Sequence, residues 1–202
     1  MTETLYLASS NQGKLRELGA LASAAGFALA PLQNYPNLPP AREDAPSFAL
    51  NALEKALHYS RFTDALVVAD DSGLVADALG GGPGPRSARF AGASATDEDN
   101  NRALLAALAE VAEDRRSARY VCVLTLAQHD RLLALFSDTC EGRILRTPRG
   151  RGGFGYDPLF FFPPLERTMA ELTLAEKNQH SHRARAFRKL LAYLKEASTE
   201  ST

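Results

Sequence analysis

Strand-like and helix-like hydrophobic patterns alternate along the first third of the chain. "TLYLA" (Thr4–Ala8) is a short apolar strand, broken by the polar "SSNQGK". A 3.6-residue pattern then runs from about Lys14 to Ala25, with Leu15, Leu18, Leu21 and Ala22 on one face, and Gly26 ends it. "FALAPL" (Phe27–Leu32) reads as a second strand. Residues 33–46 are polar and carry Pro36, Pro39, Pro40 and Pro46, which predicts an extended loop. A second helix follows from about Ser47 to Ser60, and its Asn51 and Lys55, four residues apart, project to the same side. "ALVVA" (Ala65–Ala69) is a buried strand that the pattern ends at Asp70, Asp71, Ser72 and Gly73, all ordinary turn residues.

The second half changes character. Thr96 opens a helix whose early acids Asp97, Glu98 and Asp99 suit its positive end. "ARYVCVLTLAQ" and "LLALFSDTCEGRI" are two strands joined by a tight turn at His129–Arg131. A glycine-rich loop, "TPRGRGGFGYDP", leads into "LFFF". Thr173 and Glu176 form a capping box for a short helix, and Ser181 caps a last one that runs to about Ala197. The prediction is a single mixed α/β domain over 1–197 with a frayed tail at 198–202. A pure doubly wound sheet does not fit the antiparallel middle.

Composition narrows the function. The chain has 202 residues, 45% of them hydrophobic, and 23 basic against 24 acidic residues give a net charge of −1. That balance offers no general attraction for nucleic acid, so any anion site must be local. No segment has the apolar length of a membrane helix, and the first residues show no secretory leader. Cys122 and Cys140 lack CxxC spacing and read as reduced core residues, so the expected location is cytoplasmic.

Four stretches can carry chemistry. "LASSNQGKLREL" places Ser, Asn, Gly and Lys14 at a strand-to-helix turn, which is either an anion site or a capped turn. It lacks the GxxxxGK[ST] pattern of a Walker loop. "ADDSG" offers Asp70 and Asp71 at a strand end, either as a polar turn or as a metal site. Adjacent side chains on an extended chain point opposite ways, so only one of the two can face a given ion. Mg²⁺ takes one or two carboxylates, and Glu43 or Asp44 can supply the second. "GGFGYDP" exposes Phe154 and Tyr156 as stacking surfaces for a base, with Asp157 as an acceptor, or else folds them into the core. "AEKNQHSHRARA" sets Lys177, His180, His182 and Arg183 around a helix start, where donors suit a phosphate or a carbonyl oxygen. Zinc is excluded because no Cys or carboxylate partner has suitable spacing. A serine hydrolase is excluded because no GxSxG elbow is present.

Together "LASSNQGKLREL", "FALNALEKA", "ADDSGLVADALGGGPGPRSARFAG", "GGFGYDPLF" and "AELTLAEKNQHSHRARA", in order from Leu7 to Ala186, resemble the non-canonical purine nucleotide pyrophosphatases. The resemblance implies Mg²⁺-assisted hydrolysis of ITP, dITP and XTP to the monophosphate and pyrophosphate. It implies a mixed curved sheet with flanking helices, two lobes around a central nucleotide cleft, and a homodimer. Carried over residue by residue, Ser9, Ser10, Asn11, Gln12, Gly13 and Lys14 hold the triphosphate, and Lys55 joins the cationic set. Asp71 is the acid/base residue, acting with Lys14, and is also a Mg²⁺ contact together with Glu43. Ser72 lies beside the substrate. Phe154, Gly155, Tyr156 and Asp157 hold the base, and Lys177, His182 and Arg183 complete the site. A donor from His182, Arg183 or a backbone N–H to O6 would favour inosine and xanthine over adenine. The chain departs from the family pattern at Ala45, where glycine is usual, at Leu50, where an acid is usual, and at Pro85 and Arg86. Rival readings are a Maf-type pyrophosphatase for pyrimidine or modified nucleotides, and a nucleotide sensor without catalysis.

Overall fold

The computed structural model describes residues 4–200. Seven strands form one mixed sheet in the order β2-β1-β3-β4-β5-β6-β7. The chain divides into two compact units. Among the described residues, one comprises 4–71, 122–138 and 182–200; the other comprises Ser72–Val121 and Thr139–Ser181.

In the first unit, β1 (Thr4–Leu7) and β2 (Ala28–Pro31) run parallel, joined through α1 (Gln12–Ala24), as a parallel pair requires. β3 (Val67–Ala76) pairs parallel with β1 through Tyr6↔Val67 and Leu7↔Val68. Leu5, Leu7, Leu18, Val68, Cys122, Leu124 and Leu126 form a core with Phe187 and Leu190 of α5 (His182–Glu200). Helix α2 (Phe48–Tyr59) starts on Ser47, whose side chain accepts from the Leu50 N–H, and packs Ala56 and Tyr59 against Ala8, Val67 and Ala69. β4 (Ser117–Gln128) and β5 (Arg131–Ile144) are joined by His129 and Asp130, at φ 49° and 58°. Two successive left-handed residues are the signature of a tight hairpin whose twist matches its strands.

The second unit contains α3 (Asp97–Ala107), β6 (Phe160–Phe162), β7 (Arg167–Thr168) and α4 (Leu174–His180). β6 pairs antiparallel with both β5 and β7. Its core joins Leu74, Leu104, Leu108, Tyr120, Ile144, Leu159 and Phe160. The capping box expected at Thr173 and Glu176 is present, and a second one links Thr96 with Asp99.

The ends of α5 and β3 differ from the sequence reading. α5 runs past Ala197 to Glu200, while Ser201 and Thr202 lie outside the described residues. More consequential, β3 does not stop at the aspartates: "VVADDSGLVA" is one strand, buried along most of its length. Gly73 is there for proximity rather than for turning. A Cβ on it would lie 2.8 Å from the Gly84 carbonyl oxygen. The empty space lets Ser87 reach the strand, where its Oγ accepts from the Leu74 N–H at 2.8 Å.

Candidate active site

Two clusters of functional side chains stand out, one in each unit. The first surrounds the aspartates of β3. Because successive strand residues face opposite ways, Asp70 and Asp71 live in different surroundings. Asp70, fully buried, is saturated with cations and donors. Its Oδ1 meets Lys14 Nζ, and its Oδ2 accepts from Arg183 Nε at 3.0 Å and from the Cys122 thiol at 3.5 Å. Arg183 also donates from Nη1 to Glu17 Oε2 at 2.6 Å, so α1, β3 and α5 are locked by one buried ion network. Burial alone would lower the Arg183 pKa, but the Asp70 and Glu17 carboxylates outweigh it and raise it. The Cys122 thiol is pushed up by burial and by the Asp70 charge.

Asp71 has a different environment. Its Oδ2 accepts a single hydrogen bond, 3.0 Å from Asn51 Nδ2 on α2. Burial pushes its carboxyl up to about 6, with the Asn51 hydrogen bond and Lys14 pulling it down and Asp70 and Glu43 pushing it up. Asn51 Oδ1 meanwhile accepts from the Ala45 N–H at 2.9 Å, tying the proline-rich loop to α2. One turn on, Lys55 Nζ is 2.9 Å from Glu43 Oε1. The (i, i+4) alignment of Asn51 and Lys55 is thus used, one for Asp71 and one for Glu43.

The turn after β1 is built around α1. Ser9 Oγ accepts from the Asn11 N–H at 3.1 Å. Asn11 is the N-cap, and its side chain accepts from the Lys14 N–H at 3.0 Å. Ser10, Asn11 and Gln12 are exposed, Gly13 is half-exposed, and the helix starts at Gln12, two residues before the expected Lys14. The first N–H groups of a helix have no partner within it, so this turn presents donors to solvent beside Lys14.

Among the described residues, no group of three or more His, Cys, Asp or Glu forms a metal cage. Mg²⁺ needs none, since water and substrate phosphate fill most of its shell. Asp71 suits a cation, because burial and the charges of Asp70 and Glu43 all disfavour its carboxylate as it stands. Glu43 is the companion acid the structure offers; Asp44 is exposed. Asp70 is already taken up by Lys14 and Arg183.

The second cluster is the glycine-rich loop at 153–157. Asp157 is buried, and its two oxygens organise the loop: Oδ1 accepts from Tyr120 OH at 3.1 Å, and Oδ2 accepts from the Phe154 N–H at 3.0 Å and meets Lys177 Nζ. The Lys177 ammonium sits 4.8 Å above the centre of the Phe154 ring. Tyr156 turns inward, and its hydroxyl donates to the Ser87 carbonyl at 2.7 Å. The loop therefore divides its aromatics: Phe154 is half-exposed beside a cation, and Tyr156 is buried. Asp157, expected to face the base, spends its oxygens on Tyr120, Phe154 and Lys177.

Arg183 ends on Asp70 and Glu17, and His182 is buried at the first residue of α5. Ser72 follows Asp71 on β3 and is half-buried. Sequence reasoning gave no role to Glu17 and Tyr120. Glu17, an acid on the apolar side of α1 beside Leu18, is the one that left a readable trace.

Fold and chemistry together define a class: a mixed α/β protein with a cation-backed acidic cluster on its central strand and a lysine-capped aromatic loop. The chain belongs to the Ham1 family, whose model matches residues 5–193. It is 44% identical over 190 residues to the dITP/XTP pyrophosphatase of Desulforamulus reducens, covering 94% of each chain. With the dITP/XTP pyrophosphatase of Geobacillus kaustophilus it shares 47% identity over 186 residues, 92% of this chain and 91% of that one. The solved structure of a HAM1 protein from Coxiella burnetii superposes with a TM-score of 0.85 at 38% identity, covering 96% of this chain and all of the other.

Proposed function

We propose that the protein hydrolyses ITP, dITP and XTP to the nucleoside monophosphate and pyrophosphate. The observation that carries this reading is Asp71, a buried carboxylate held by Asn51 and pushed up to about 6. A group with that value is ionised at neutral pH yet basic enough to take a proton. Asp71 accepts the proton of a water that attacks one phosphorus of the α–β bridge; the bond from that phosphorus to the bridging oxygen breaks, giving the monophosphate and pyrophosphate. Lys14 and the donor-rich turn from Ser9 to Gly13 bind the phosphate oxygens. Asp71 and Glu43 are the residues that would hold Mg²⁺, which when bound neutralises phosphate charge.

The aromatic loop supplies selectivity. Phe154 offers a ring for stacking, and Lys177, fixed above it by Asp157, offers a donor that suits the 6-oxo oxygen of hypoxanthine or xanthine. Adenine would set its 6-amino group against that ammonium, leaving donors unpaired. A cytoplasmic homodimer completes the reading; among the described residues no helix is long and apolar enough to cross a membrane. Sedimentation of the purified chain tests the dimer.

Pyrophosphate release with Mg²⁺ from ITP, dITP, XTP, GTP, dTTP and UTP tests the substrate. The expected result is fastest turnover of the first three. Equal or faster turnover of dTTP and UTP would replace this reading with the pyrimidine one.

A further inference from the structure

The first turn of α3 lies outside every residue given a role above, yet it grips both glycine-rich loops. Asp97 Oδ2 accepts from the Gly155 N–H at 2.6 Å. Asn101, one helical turn on and therefore on the same side, donates from Nδ2 to the Gly155 carbonyl at 2.9 Å and to the Asp97 carbonyl at 2.8 Å. A single residue between Phe154 and Tyr156 is thus held at both its backbone groups. Gly155 has φ +63°, a conformation that glycine adopts freely and side-chain-bearing residues rarely do. Between the two, Asn100 is buried; it accepts from the Ala91 N–H at 2.9 Å and donates to the Ala88 carbonyl at 3.1 Å, anchoring the earlier loop. Tyr156 OH closes the circuit on Ser87. The Thr96–Asp99 capping box holds the turn itself.

We propose that Asp97 and Asn101 are positioning residues for base recognition: a two-point backbone clamp that presets the Phe154 loop before the nucleotide arrives. This rests on the reading that the loop holds the base. A loop ordered in advance spares the ligand the entropy of ordering it. Losing the clamp removes binding shared by ground and transition states, so the effect falls on KM and leaves kcat nearly unchanged. The acceptor from Asp97 is charged, which makes it the stronger of the two contacts.

The test measures KM and kcat for ITP, with thermal midpoints, in Asp97→Ala, Asp97→Asn, Asn101→Asp and Phe154→Ala. Asp97→Ala should raise KM about tenfold with kcat within about twofold. Asp97→Asn keeps an acceptor oxygen and should recover most of the loss. Asn101→Asp has the same size but puts a carboxylate against a carbonyl, and should raise KM even if Asp97→Ala fails to fold. An increase in KM for Phe154→Ala with none for the α3 variants overturns the clamp alone. An unchanged KM for Phe154→Ala overturns the base-loop reading and the clamp with it.

Discussion

Asp71 and Asp157 are both buried carboxylates, one in each unit, and they are treated in opposite ways. Asp157 has every oxygen occupied by Tyr120, Lys177 and a backbone N–H. Asp71 receives one hydrogen bond, while the cations Lys14 and Arg183 are paired with its neighbour Asp70. A carboxylate whose partners satisfy it is a structural part. One that burial leaves undersatisfied is suited to act as a reagent. The contrast supports the proposed role of Asp71 where residue type and burial alone do not.

The largest effect expected is on turnover. Asp71→Asn should lower pyrophosphate release from ITP by about 10³-fold, within the range for removing a general base. Calorimetry should still detect ITP binding, and undiminished turnover would remove Asp71 from the chemistry. Next, Arg183→Met strips the guanidinium from two buried acids, Asp70 and Glu17. A loss of about 3–5 kcal/mol in denaturant unfolding is expected.

The third prediction separates the reagent from the part by pH. An acid raised from 3.8 to about 6 on folding favours the native state while protonated, and that contribution fades as pH climbs through about 6. Asp71→Asn abolishes the dependence. At pH 8 it should therefore be more stable than the parent chain, by up to about 3 kcal/mol, with the gap closing below about pH 4. A gap that does not change with pH would refute the strained state of Asp71. The smallest effect belongs to the second unit. Tyr120→Phe removes one of the hydrogen bonds to Asp157 and should cost about 1 kcal/mol of stability. A larger rise in KM than Asp97→Ala gives would make Tyr120 the dominant support of the loop.

Much of this was readable beforehand. The hydrophobic periods located the helices, the Thr173–Glu176 box placed α4, and the spacing of Asn51 and Lys55 put both on one face. The five motif stretches indicated the family. The course of β3 was not readable. Asp, Ser and Gly favour turns, but this strand is held by partners 20, 56 and 113 residues away, Asn51, Lys14 and Arg183. Local propensity yields to such tertiary contacts. The pairing of Asp157 with Tyr120 and of Arg183 with Glu17 was not readable either, because those partners come from distant segments with no recognisable motif.

The pleat that separates Asp70 from Asp71 also bears on how this gene can vary. Two identical letters side by side look like redundancy, a spare acid behind the first. On a strand they are strangers, one sealed among cations and the other facing Asn51. A cell that loses Asp71 cannot fall back on Asp70, because moving the chain by one position would send every neighbouring side chain to the wrong face. Revertants of an Asp71 lesion should therefore restore that codon itself, not recruit the one before it.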